Sequence, residues 1–170
     1  MSKFGLFGPK IDPQISFLHA PSKGLRLGGL FKIIPQGSVL GPILFVIYIN
    51  DLPNGIKTNV KLFADDTKIY GEVSGAQDQN RVQEDLDYLA EWSNKWLLRF
   101  HPDKCVVLDI HNNIKDRPIY DYDLEGSILK HHDSEKDLGV ITDNCLHFRD
   151  HINEKVGKAN KMAGLIRRTF

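Results

Sequence analysis

Cysteine is nearly missing from this chain of 170 residues: Cys105 and Cys145 are the only two, and no CxxC spacing joins them. A disulfide framework is thereby excluded, and both thiols read as reduced and intracellular. Glutamate is absent before Glu72, so the only acids ahead of it are Asp12, Asp51, Asp65 and Asp66. Long apolar runs are lacking too. The stretch from Val39 to Ile49 is too short to span a bilayer and contains Gly41 and Pro42, so it reads as a core helix rather than a membrane span. The start, MSKFGLFGPK, lacks the apolar core of a secretory signal, and no other targeting signal is identified. Net charge is zero, so any affinity for nucleic acid has to come from local patches.

What is present fits an ordinary globular chain, with 26% charged and 41% hydrophobic residues, and a length suited to one domain or a piece of a larger one. The charge is unevenly spread. Residues 1–50 hold Lys3, Lys10, Lys23, Arg26 and Lys32 against Asp12 alone, a local +4 that the remainder balances with −4. In residues 1–34 the breakers Gly5, Gly8, Pro9, Pro13, Pro21, Gly24, Gly28 and Gly29 interrupt every periodic run, and an irregular leader is expected.

From Pro35 the pattern sharpens. Pro35-Gln36-Gly37-Ser38 is a turn, and Pro42 suits the first turn of a helix. The run Ile43 to Leu52 is apolar on all sides, which predicts a helix buried all round. Two short strands, Val60 to Ala64 and Thr67 to Val73, flank Asp65-Asp66 and predict a hairpin with acids at its tip. Ser74 to Gln77 has capping-box spacing and opens a helix to about Leu98, with Val82, Leu86, Leu89, Trp96 and Leu97 on one face. Strand-like segments follow at Lys104–Ile110, Ile119–Leu124, Ser127–Leu129 and Leu138–Ile141. A last helix starts near Phe148, with an apolar stripe through Ile152, Val156, Ala159, Ala163 and Ile166 that is still periodic at Phe170. The fold class expected is α+β, an antiparallel sheet with helices packed on one face.

Asp65 and Asp66 are the leading candidates for chemistry. Two carboxylates brought together at a tight turn repel each other unless a divalent cation sits between them and a phosphate. Such an ion activates a hydroxyl nucleophile and neutralises a leaving pyrophosphate. On these two residues alone a plain surface turn is the better reading, because Asp-Asp is common there.

The flanking residues reverse that. Phe63-Ala64-Asp65-Asp66-Thr67-Lys68-Ile69-Tyr70 follows Pro35-Gln36-Gly37-Ser38-Val39-Leu40-Gly41-Pro42 and Ile47-Tyr48-Ile49-Asn50-Asp51-Leu52. Leu86-Asp87 through Trp92-Ser93, Trp96-Leu97, Lys104-Cys105 and Glu135-Lys136-Asp137-Leu138-Gly139-Val140 come after it. In this order the motifs resemble reverse transcriptases of the jockey and CR1-like non-LTR retrotransposons. The resemblance implies an unassigned leader over residues 1–34, a partial palm domain over 35–147 and the start of a thumb helix over 148–170. It also implies Mg²⁺ or Mn²⁺ at Asp65 and Asp66, with Asp65 the direct ligand. Gln36 and Gly37 would lie beside the template base and incoming nucleotide, and Ala64 would leave room beside the primer end. Phe63 would pack beneath the hairpin or in the core. Lys104 would donate a proton to pyrophosphate, or else is a solvated lysine. Lys155, Lys158 and Lys161 would contact phosphates, or else form a solvated face. The partners implied are an RNA template, a DNA primer and deoxynucleoside triphosphates, with no membrane and a nuclear site of action.

The chain departs from that family at points that matter. A working palm needs a further aspartate on a neighbouring strand, and the only carboxylate upstream of the Pro-Gln-Gly turn is Asp12, which Pro13 follows. The basic fingers that hold a triphosphate are not recognisable, and Ile33 replaces a usual glycine. Two other metal readings are weak. Asp121 to Gly126 has the acid spacing of a calcium loop, but His132 stands where its last Glu belongs. Cys145, His147 and His151, with His131 or His132, fit no standard zinc spacing. Trp92 and Trp96 read as core residues. The function expected is a fragment of an RNA-directed DNA polymerase that is inactive alone. The alternative is a catalytically inactive remnant or a co-opted nucleic-acid-binding or interaction module.

Overall fold

The computed structural model describes residues 14–21 (through their backbone), 39–64, 66–111 and 120–169. Its principal sheet has five strands in the order β2-β3-β1-β4-β7, formed by β1 (Gln14–Pro21), β2 (Asn59–Phe63), β3 (Asp66–Val73), β4 (Val106–Ile110) and β7 (Lys130–His132). Two ribbons complete the strands: β5 (Asp123–Leu124) with β6 (Ser127–Ile128), and β8 (Ser134–Asp137) with β9 (Val140–Asp143). The helices are α1 (Leu40–Ile49), α2 (Ala76–Trp96) and α3 (Arg149–Thr169). The architecture is a mixture of helices and small sheets. Its antiparallel character holds for β2–β3, β3–β1 and β1–β4 but not for β4–β7, which is parallel. A parallel neighbour requires a crossover, and the stretch between Ile110 and Lys130 is long enough to provide it.

Strand β1 corrects the expectation of an irregular leader, since it runs through the middle of the sheet between β3 and β4. Its sequence, QISFLHAP, places proline only at the last position, where no interior ladder bond is lost.

The core lies between α2 and the sheet. Val82, Leu86, Leu89 and Trp92 are buried and recur three or four apart, so they form one helical stripe. On β3 the buried residues Thr67, Ile69, Gly71 and Val73 alternate with more exposed ones, which turns a single face toward the helix. A fully buried leucine such as Leu86 or Leu89 contributes about 1.5–3 kcal/mol.

Both ends of α2 differ from expectation. No side chain caps Gly75, and Asp78 accepts the Ser74 N–H at 3.0 Å in place of the expected capping box. Leu97 does not join the core. It takes a left-handed backbone (φ 58°), ends the helix and stands 56% exposed.

Helix α1 carries the largest correction. Leu40, Ile43, Leu44, Val46 and Ile47 are exposed, and only Ile49 is buried. Among the described residues one flank of α1 finds a partner: Tyr48 packs edge-on against Trp92 and Trp96, and its hydroxyl donates to the Trp96 carbonyl. A helix that is apolar all round but covered on one flank leaves the rest open. No helix among the described residues is long and apolar enough to cross a membrane.

The segment leading into β2 is fixed by one buried carboxylate. Asp85 on α2 accepts the backbone N–H of Lys57 at 2.7 Å and that of Thr58 at 2.9 Å, and the Thr58 hydroxyl at 2.6 Å. This registers the first strand of the acidic hairpin against the core helix.

Candidate functional site

β2 and β3 form the expected hairpin with a two-residue connection, since Phe63 pairs with Asp66 across it. Ala64 opens the turn with φ 51°, as the first central residue of a tight hairpin turn requires. A larger side chain there would add crowding to an already uncommon backbone. Asp66 is the first residue of β3 rather than part of the turn. Asp65, Gln36 and Gly37 lie outside the described residues. Phe63 is 59% exposed, so it packs neither in the core nor under the hairpin.

The register defines the neighbourhood of Asp66. Pro21 stands opposite it on β1 and Phe63 on β2, while Ala20 stands opposite Thr67 and His19 opposite Lys68. Lys104 belongs to the same end of the sheet. β4 enters at Val106 opposite His19, and the short 3-10 turn Pro102–Lys104 precedes it, with Lys104 exposed. Two strand spacings separate β3 from β4, about 10 Å. Lys68, the second residue after Asp66, forms an ion pair with Asp137 of the β8–β9 hairpin.

That hairpin turns through Leu138 (φ 45°) and Gly139 (φ 85°), so the strand expected over 138–141 begins only at Val140. After β9, Asp143 organises the entry to α3. Its carboxylate accepts N–H groups from Cys145 at 3.1 Å, His147 at 2.9 Å and Phe148 at 2.5 Å. Partial burial raises the Asp143 pKa, but the N–H groups of His147, Phe148 and Cys145 and the His147 imidazole outweigh it, and the net shift is downward.

On α3 the expected apolar stripe is present but uncovered, with Ile152, Val156 and Ile166 all more than half exposed. Lys155 donates to the Gly139 carbonyl at 3.2 Å, Lys158 is paired with Glu154, and Lys161 is exposed.

The other metal readings fail on geometry. Asp123 to Ile128 is a tight hairpin in which Asp123 accepts the Gly126 N–H at 2.9 Å, not a calcium loop. His151 Nδ1 accepts the Ile141 N–H, and among the described residues no group of three or more His, Cys, Asp or Glu is gathered for a metal. The same test applies to the acidic hairpin. Among the described residues, no carboxylate faces Asp66 from β1 or β2, so the residues present do not complete a site for a pair of divalent cations.

The family model for reverse transcriptase (RNA-dependent DNA polymerase) matches residues 16–142, which takes in β1, the hairpin, α2 and the strands through to β9. The chain belongs to the reverse transcriptase family. Among its curated relatives is the RNA-directed DNA polymerase from mobile element jockey of Drosophila funebris, 36% identical over 128 residues. The jockey polymerase of Drosophila melanogaster is 30% identical over 128 residues, and the probable RNA-directed DNA polymerase from transposon BS of the same species 33% over 132. Each match covers 70% of this chain and 14% of the relative. No solved structure matches the chain significantly. The resemblance to non-LTR retrotransposon reverse transcriptases is thus borne out, and reverse transcriptases generally use a divalent metal.

Proposed function

We propose that the chain supplies the palm sheet, the acidic hairpin and the first thumb helix of a mobile-element RNA-directed DNA polymerase, and that alone it holds RNA–DNA duplex without extending it. The palm in this reading starts at β1 rather than at residue 35, and α3 begins the thumb. The observation that carries it is the gathering of Asp66, Phe63 and Lys104 at one end of the five-stranded sheet, in the chain order of the family's motifs.

In this reading Asp65 and Asp66 face the primer end, Ala64 and the exposed Phe63 border it, and Gln36 and Gly37 lie beside the nucleotide. Lys104 stands near the departing pyrophosphate as a proton donor. The metal of a complete relative would be Mg²⁺ or Mn²⁺, held by hairpin carboxylates together with one from the adjacent strand. Lys155, Lys158 and Lys161 recur three apart on α3 and offer phosphate contacts without sequence preference. Lys158 leaves Glu154 to make its contact.

The test is anisotropy of a labelled RNA–DNA hybrid at increasing salt. Binding is expected to weaken as salt rises. Replacing Lys155, Lys158 and Lys161 by Ala should lower the log–log salt slope by about 2–3. A triple variant that binds as the parent does would show that this flank of α3 is only solvated surface.

A further inference from the structure

We infer that the acidic hairpin of this chain does not take a pair of divalent cations, because Ala20 and Pro21, the β1 residues in register with its second strand, are residue types without a side-chain oxygen, and that one carboxylate at residue 20 or 21 would create the missing half of the site. The inference rests on the proposed reading of the hairpin as the cation locus. It adds where the site is broken.

The argument is one of register. A cation bridging two strands needs ligands at cross-strand positions, whose Cβ atoms stand about 4.5–5.5 Å apart. Pro21 and Ala20 hold those register positions opposite Asp66 and Thr67. Neither side chain has an oxygen. On the other flank Phe63 and Leu62 are equally unable to ligate. His19 is opposite Lys68, two rungs from Asp66, and imidazole is a poor ligand for Mg²⁺.

Several other aspartates are engaged elsewhere. Asp51 accepts the Trp92 Nε1–H at 3.0 Å, Asp109 contacts His131 at 2.8 Å, and Asp137 is paired with Lys68. Between Pro21 and Ser38 the sequence has no carboxylate at all.

The probe is Mn²⁺ alone, followed by its loss of free-ion EPR signal and by paramagnetic broadening of amide resonances near Asp66, with the whole 170-residue chain. The parent chain is expected to show no Mn²⁺ site that Asp66→Asn removes. Ala20→Asp or Pro21→Asp is expected to raise Mn²⁺ affinity at least about tenfold, with broadening centred on the start of β3, and Asp66→Asn added to that variant should abolish the gain. A parent site that Asp66→Asn removes would overturn the inference, and this arm needs no change in β1. Folded Ala20→Asp and Pro21→Asp variants that both bind Mn²⁺ as the parent does would overturn it equally. Hybrid binding through α3, read in the same samples, separates the two proposals: its loss in the lysine variant together with no gain in either aspartate variant would leave the proposed function standing and remove only this inference.

Discussion

The ammonium of Lys68 is paired with the carboxylate of Asp137, and the pair ties the strand that begins at Asp66 to the hairpin that leads into α3. Both side chains are mostly buried, at 19% and 28% exposure, so the pair is less screened than a surface one. It links two motifs that lie about seventy residues apart in sequence. In a double-mutant cycle with Lys68→Ala and Asp137→Ala, a coupling of about 1 kcal/mol is expected from urea unfolding. Strict additivity of the two single variants would show that the hairpin is held by other contacts.

Asp85 should be the more costly deletion. It is 1% exposed and satisfies two backbone N–H groups and one hydroxyl in the segment before β2. Asp85→Ala leaves those donors buried and unpaired, and a loss of about 2–4 kcal/mol is expected. Asp85→Asn keeps one carbonyl acceptor and should lose less. Equal unfolding midpoints for the parent and Asp85→Ala would contradict this account.

The sequence made some of this legible and not the rest, for physical reasons. The stripe Val82, Leu86, Leu89 could be read because its spacing is that of a helix face, and the hairpin because two short strand-like runs bracket the acids. Burial of α1 could not be read, since an all-apolar helix shows its preference for cover but not what provides it. β1 is hidden in the sequence because Pro21 reads as a breaker, whereas it stands at the last position of the strand. The Leu138-Gly139 turn is not legible in the sequence, because a leucine at φ 45° gives no compositional sign of a turn. The role of Asp85 is illegible for a similar reason: a lone aspartate inside a helix reads as surface until the chain it pins is visible. At the candidate site the motif order was legible in full. The cross-strand partners of Asp66 were not, because register is a property of the folded sheet.

Acid should loosen the start of α3 before the core. The folded pKa of Asp143 lies below its ordinary 3.8, so the stability it contributes is present above that value and is lost as pH falls through the folded value. Glu154, held low first by its hydrogen bond from Lys158 and also by Lys136, changes in the same sense. Amide protection factors in residues 145–155 are expected to fall below about pH 4. Asp143→Asn should reduce that pH dependence without removing it. Protection in this segment that does not vary with pH would rule the mechanism out.

The two cysteines should differ sharply in reactivity. Burial pushes the Cys105 thiol up to about 12, against a smaller lowering by a backbone hydrogen bond at His101. Its thiolate is then scarce at neutral pH, and it is also inaccessible. Cys145 is only half-buried. Iodoacetamide is expected to modify Cys145 in the folded chain and Cys105 only after unfolding. Mass spectrometry that finds Cys105 alkylated first would contradict its placement in the core.

The chain alone should not extend a primer. In-line transfer of a nucleotide needs the primer hydroxyl and the α-phosphate held together by ions that more than one strand grips. Asp66 has Pro21 and Phe63 for neighbours, and neither can share an ion with it. Misplacement of reacting groups by an ångström already costs about a hundredfold, and a missing ligand costs more. Purified chain with a DNA primer, an RNA template, deoxynucleoside triphosphates and Mg²⁺ or Mn²⁺ is therefore expected to give no product above the level of Asp66→Ala. Incorporation by the parent that Asp66→Ala removes would show that the ions are completed by a ligand other than a β1 carboxylate. Product formed equally by both would point to a contaminating polymerase, and a tagged repurification would remove it.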